Sequence, residues 1–245
     1  MKYIQNIENE AEAIKQKYDV LYYIKPLGSI NLITATRYTA VDLGLPSGRL
    51  WANMNIGAEK ETDYGLYFQW GDTVGYNDAS HATWATCPGN GGNSAYTADS
   101  IAAWDAENLQ SVTGMTYSTK ILKPEVDAAT VNMGGNWRMP TYEDCRELYL
   151  NTNIELAVID GVKGRKFINK SDTSQYIFLP LAGTATSNGH LMGQGVSGGI
   201  WSSSVGSDAP EKAGYLWVAD EYGGQGSANT AINYRYYAQS VRGVC

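Results

Sequence analysis

The chain has 245 residues and a net charge of −7, with 43% apolar and 18% charged residues, 27 Gly, 18 Tyr and 7 Trp against only 3 Phe. That balance fits a soluble globular protein built around one large β-rich domain. The acidic surplus argues against a nucleic-acid partner, because such binders carry basic footprints. No window approaches the ~20 apolar residues of a membrane span, so no membrane insertion is expected.

Residues 1–39 read as an N-terminal helix and linker, and residues 40–245 as one domain. Ile4, Ile7, Ala11, Ile14, Tyr18 and Leu21 recur at heptad spacing with Glu and Lys between them. That seam predicts a helix, either packed on its own domain or serving as a short oligomerising coil. Ile at both seam positions leans toward a homo-oligomer of the trimeric kind. The stretch has acids where a secretory signal has its apolar core, so no signal peptide is read here. Residues 25–40 read as a linker or short strands.

From Val41 the texture is β-like. "VDLGLPSGRLWANMNIG" predicts two short strands around "LPSG", and "YGLYFQWG" an alternating strand ending in a Gly turn. Residues 75–118 read as a long Gly/Asn/Ser-rich excursion. Two helices follow. One starts behind Pro124. The other starts at Thr141, where "TYED" is close to a capping box, with Cys145 and Leu148 facing the core. "IELAVIDGVKGRKFIN" predicts a hairpin turning at "DG", with "KGRK" its charged part. "YIFLPLAG", "GGIWSSS", "GYLWVAD" and "AQSVRGV" supply further strands. Many short strands, two helices and long loops predict an α+β fold.

Chemistry-bearing patterns are sparse. His81 and His190 have no partner at ligand spacing, and no calcium loop is visible. Cys87, Cys145 and Cys245 form neither a zinc motif nor a disulfide framework. Cys145 reads as a small buried residue, whereas Cys87 and Cys245 read as potentially exposed. Asp72 with Asp220 or Glu221 is a conceivable hydrolase pair, but solvated surface acids are the plainer reading. Trp51, Trp70, Trp137 and Trp201 are expected in the core. No cofactor and no metal are called for.

The C-terminal part differs. From Ser202 it is dominated by Tyr, Ser, Gly, Asn and Ala, with five tyrosines within residues 215–237. Binding surfaces of antibodies have this composition, since Tyr gives large contact area at low entropy cost and Ser, Gly and Asn adapt their hydrogen bonds. The tyrosines of "NYRYY", Tyr234, Tyr236 and Tyr237, are therefore read as displayed rather than core.

"VDLGLPSGRLWANMNIGA", "YGLYFQWGD", "GGNWRMPTYEDCRELY", "IFLPLAG", "GIWSSS" and "SVRGV" occur in that order. Together they resemble the Fibrobacter succinogenes major paralogous domain, a C-type-lectin-like family of bacterial and phage proteins. The resemblance covers about residues 40–245. It implies a C-type-lectin-like fold with short strands, two helices and long irregular loops. It also implies a relation to formylglycine-generating enzymes, whose cysteine pattern is not reproduced here. The calcium motifs of animal lectins are absent as well. One subgroup of the family consists of variable proteins of diversity-generating retroelements, in which adenine-containing codons of a C-terminal segment are diversified. The resemblance to it implies a non-enzymatic receptor or adhesin on a phage virion or bacterial surface, taking a protein or glycan ligand on a cell surface. A carbohydrate-active or formylglycine-generating-type enzyme is the alternative.

Diversification of Asn-type codons reaches Asn, Tyr, Asp, Ser, Thr, Ala and Gly but not Trp, Gln, Lys, Glu or Met. The expected ligand-binding positions are therefore Asp220, Tyr222, Asn229, Ala231, Asn233, Tyr234 and Tyr237. Trp217, Glu221, Gln225 and Gln239 are expected to be scaffold. Arg235, Ser240, Val241 and Arg242 are expected to be structural, with Val241 inward and its neighbours outward or in capping hydrogen bonds. Tyr222, Asn233, Tyr234 and Tyr237 are expected to share one exposed face.

Overall fold

The computed structural model describes residues 20–24, 30–34, 37–83, 86–87, 121–186, 189–206, 212–220 and 228–245. Among them the chain is α+β, mostly strands in open sheets with two α-helices. Strands β1 (Val20–Ile24) and β2 (Ile30–Thr34) form an antiparallel pair. Leu21, the last residue of the expected helical seam, therefore lies in a strand. "VLYYI" is rich in β-branched and aromatic residues, which suits a strand, and it pairs residue for residue with "INLIT". The earlier seam residues, Ile4 to Tyr18, lie outside the described residues, as does most of the 75–118 excursion.

Strands β3 (Ala40–Asp42) and β4 (Leu50–Ala52) pair across the "LPSG" turn. Strand β5 (Tyr67–Gln69) does not alternate between buried and exposed as expected; all three residues are buried. The reason is that both faces are covered. Phe68 joins a cluster with Trp70 and Trp201, and Tyr67 joins another with Ala182 and Ala185. The Tyr67 hydroxyl donates to Ala182 O at 2.6 Å, and burial pushes its pKa up to about 12.

Pro124–Val126 form a 3₁₀ turn leading into α1 (Ala128–Met133). The Asp127 carboxylate caps α1, accepting from Thr130 N–H at 2.8 Å and also from Met139 N–H at 3.0 Å. Helix α2 (Tyr142–Asn151) begins with the full reciprocal capping box: Asp144 N–H donates to Thr141 Oγ1, and Thr141 N–H donates to Asp144 Oδ2. Cys145 and Leu148 face the core as expected. Arg138 pairs with Asp144 at 2.8 Å and Arg49 lies 3.4 Å from its other oxygen, tying "NWRMPT" to the start of the domain.

Strands β6 (Thr152–Ile159), β7 (Val162–Asn169) and β8 (Tyr176–Pro180) form a three-stranded antiparallel sheet. The β6–β7 hairpin turns at Asp160–Gly161, both with positive φ (49° and 80°), the geometry that favours a two-residue turn ending in Gly. Its "KGRK" stretch is not simply a charged surface: Arg165 is buried, with Nε donating to Ala219 O at 2.7 Å.

The remaining strands are β9 (Thr184–Ala185), β10 (Leu191–Met192), β11 (Ser197–Val205), β12 (Lys212–Ala219), β13 (Ala228–Tyr234) and β14 (Ala238–Ser240). They form a sheet ordered β10-β9-β14-β11-β12-β13, with β5 also paired to β14. Trp51, Trp70 and Trp201 are fully buried, as expected, and Trp137 packs half-buried beside them. Cys87 corrects its expectation by being buried, packed near Tyr236; Cys145 is buried and Cys245 half-buried.

The last residues are held by the first part of the domain. Ile56 N–H donates to Val241 O, Ala52 N–H to Gly243 O, and Leu50 and Cys245 exchange two backbone bonds. Arg138 and Val244 exchange two more. Arg242 is fully buried and takes the hydrogen-bonded one of its two expected placements, not the outward one. Its guanidinium donates to Asn55 Oδ1 (3.0 Å), Phe178 O (2.9 Å), Asn53 O (3.3 Å) and Ala52 O (3.4 Å). Ser240 is likewise buried, with its hydroxyl 3.3 Å from Tyr64 O. The short strand is covered on both faces, so period-2 alternation does not place its side chains in water.

Candidate binding face

The site is built on β12, which pairs along its length with β13 and over most of it with β11. Side chains alternate across such a sheet. On one face, Ile200, Leu216, Val218 and Ala228 join the main core with Cys145 and Leu148 of α2. That face is thus sealed by the helix. On the other face, Trp217 lies opposite Asn229, Tyr215 opposite Ala231, and Ala213 opposite Asn233. Asn229 is exposed, and Tyr215, Trp217, Ala231 and Asn233 are half-buried.

Gly199 makes the inner part of this face possible. A Cβ there would lie 1.8 Å from Gln239 Oε1 and 2.7 Å from the Tyr215 ring. Only a residue without a side chain lets Gln239 and Tyr215 lie across β11. Gln239 is fully buried, in line with its scaffold assignment. Tyr215 meets Trp201 edge-on, with centroids 5.9 Å apart, and burial raises its phenol pKa.

Past β13 the chain turns at Tyr234–Tyr237, where Tyr237 N–H donates to Tyr234 O at 3.1 Å. Arg235, fully buried, places its guanidinium 4.5 Å from the centre of the Trp70 ring, and Trp70 N–H donates to Arg235 O. Gln69 Nε2 donates to Tyr236 O at 2.7 Å. The turn is thus anchored by a cation–π contact and backbone hydrogen bonds. The three rings pack on one another: Tyr234 stacks on Tyr236 at 5.1 Å, and Tyr237 meets both edge-on, at 4.8 Å and 6.3 Å.

This corrects the reading of "NYRYY" as wholly displayed. Tyr236 is buried, and burial first, then its tyrosine neighbours, push its hydroxyl pKa well up. Tyr237 is half-buried and packs against the cluster that holds Ala213 and Val241. Tyr234 is 36% exposed, with Lys212 Nζ 4.9 Å above its ring. Asn233 and Tyr234 are adjacent on β13 and so point to opposite faces of it; the expected single face does not include both. Tyr234 rejoins Tyr237 only because the turn curls back.

Asp220 ends β12. Lys163 Nζ lies 3.1 Å from its Oδ2, and its N–H donates to Val196 O. It is therefore engaged from the β7 side and is not an isolated acid. Tyr222, Glu221 and Gln225 lie outside the described residues. The structure thus brings Asn229, Ala231 and Asn233 to one side, packs Tyr237 against the core and its neighbouring tyrosines, and leaves Tyr234 in the turn and Asp220 beside Lys163. It adds Tyr215, which the codon argument passed over, and Trp217, which that argument assigned to the scaffold and which stands half-buried on the same face. Their spacing, two residues apart on a strand opposite the alternating Asn229, Ala231 and Asn233, is a signal that needs the hairpin register to be seen.

Elsewhere the chemistry is slight. His81 stacks on Tyr76 with centroids 3.4 Å apart, and His190 is exposed. Burial raises the Asp72 carboxyl, opposed by bonds from Val74 and by His81. Burial also pushes the Cys145 thiol well above its ordinary value, which disfavours the thiolate. Among the described residues no group of three or more His, Cys, Asp or Glu is placed to hold a metal, and no helix is long and apolar enough to cross a membrane. No family model, curated protein or solved structure matches the chain.

Proposed function

We propose that the chain is a non-enzymatic binding module of C-type-lectin-like fold. In this reading it presents the outer face of β12–β13 and the tyrosine turn to a protein or glycan on a cell surface, from a phage virion or bacterial surface. One observation carries the reading. The half-buried aromatics Tyr215 and Trp217, the exposed Asn229 and the half-buried Ala231 and Asn233 share one sheet face whose reverse is sealed by α2. Side chains can change on the open face while the core beneath stays packed. Aromatic anchors beside small polar residues are the composition of adaptable recognition surfaces.

The motif resemblance adds the proposal that Asp220, Tyr222, Asn229, Ala231, Asn233, Tyr234 and Tyr237 are diversified by a retroelement. The encoding DNA tests that part: a near-identical template repeat differing at adenines, beside a reverse transcriptase, is expected. Binding is tested with arrays of glycans and cell-surface proteins. The triple variant Asn229→Asp, Ala231→Asp, Asn233→Asp is expected to melt like the parent and to lose its signals. Signals that survive the triple variant, or turnover of an arrayed glycan, overturn the reading.

A further inference from the structure

Strand β6 forms the edge of the three-stranded sheet and, among the described residues, pairs with β7 alone. Its eight residues keep an unbroken register with β7, from Thr152 opposite Asn169 to Ile159 opposite Val162. Edge strands are normally protected by Pro, Lys, a bulge or shortness. This one has no Pro, no Lys and no bulge, and its one charge is Glu155.

The hairpin geometry fixes which backbone groups face outward. Across a two-residue turn of positive-φ residues, the flanking pair Ile159–Val162 exchanges both hydrogen bonds. Counting back, Ala157, Glu155 and Asn153 direct their N–H and C=O toward β7. Ile154, Leu156 and Val158 direct theirs to the free edge. The same three residues carry an apolar row. Ile154 packs partly on the core, while Leu156 and Val158 project beyond it, 39% and 63% exposed.

We propose that this edge docks a second copy of the chain, two β6 strands pairing antiparallel about a two-fold axis at Leu156. Leu156 then faces Leu156 of the partner subunit, and Ile154 faces Val158 of the partner subunit. Each of these pairs exchanges two backbone hydrogen bonds. The apolar row is its own complement, as a two-fold interface requires. On the opposite face Glu155 meets Ala157 of the partner subunit, so no like charges stand directly opposed. Two three-stranded sheets thereby become one continuous sheet, and the unprotected edges disappear.

The test is sedimentation velocity of the full chain over a concentration series, with hydrogen exchange at both ends of it. A monomer–dimer equilibrium is expected. The amides of Ile154, Leu156 and Val158 should gain protection with concentration, while those of Asn153, Glu155 and Ala157 stay protected throughout. Val158→Glu, at a site exposed in the monomer, should leave the melt of the dilute, monomeric protein unchanged and weaken the dimer at least tenfold; Leu156→Lys should do the same. A monomer at every concentration, including one that captures an extended peptide on this edge instead, overturns the proposal. So does an oligomer that both variants leave intact, or one in which the three outward amides exchange as in the monomer.

Discussion

Arg242 offers a direct test of how the terminal segment is locked. Its side chain is fully buried and donates to four oxygens, of which Phe178 O at 2.9 Å and Asn55 Oδ1 at 3.0 Å are the close ones. Burial presses its pKa down to about 9, countered in part by Glu61, so it still carries its proton at neutral pH. Arg242→Met keeps an apolar chain of similar reach but removes every donor. Two well-placed acceptors are left buried and unsatisfied, at about 1–3 kcal/mol each. Removing a buried cation works the other way, since its desolvation is relieved. The loss wins, because the acceptors stay in place while the donor goes, and a net destabilisation of about 3 kcal/mol is expected. For a domain of this size that corresponds to a fall in Tm of roughly 6–12 °C. Arg242→Lys, a single point charge without the planar fork, should recover only a fraction of the loss. Thermal and urea melts at neutral pH measure both variants. A Tm within about 2 °C of the parent for Arg242→Met would refute the reasoning that this guanidinium ties residues 52–55 and β8 to the end of the chain.

Four further outcomes are expected. Burial alone would raise the Asp144 carboxyl, but bonds from Arg138 and Thr141 outweigh it and hold its pKa below the usual range. Its contribution to stability is therefore present above about pH 4 and lost as pH falls through the folded value, so Asp144→Asn should flatten the acid limb of a stability–pH profile. Gly199→Ala places a methyl against Gln239 and Tyr215 and should cost about 1–3 kcal/mol in a urea titration, since a 1.8 Å approach forces the Gln239 side chain to move. Tyr237→Ala should cost about 2 kcal/mol, because the ring packs on Tyr236 and on the cluster that holds Ala213 and Val241, whereas Asn233→Ala should stay within about 0.5 kcal/mol. Chelator treatment should leave the melting curve of the purified protein in place; a large fall in midpoint would show a metal contribution.

Local signals determined much of the architecture. Thr141 and Asp144 form the capping box that "TYED" predicts, because capping depends on residues three apart and on nothing distant. Asp160–Gly161 turn the β6–β7 hairpin for the same kind of reason, a backbone preference for positive φ. Trp51, Trp70 and Trp201 lie in the core as their bulk demands. What needed the tertiary structure was coverage. Tyr67–Gln69 and Ala238–Ser240 lie between two layers, so their alternation vanishes, and Arg165, Arg235 and Arg242 are buried because carbonyls and an indole ring from remote segments receive them. The candidate face divides the same way. Its composition was legible in the tyrosines and asparagines after Ser202, but composition does not say which way a side chain points. The pairing of β12 with β13 decided that Trp217 stands with Asn229 and Tyr215 with Ala231, and the turn's contacts with Gln69 and the neighbouring rings decided that Tyr236 lies inward. Register is a long-range property, set by which strands meet and not by the residues of either strand alone.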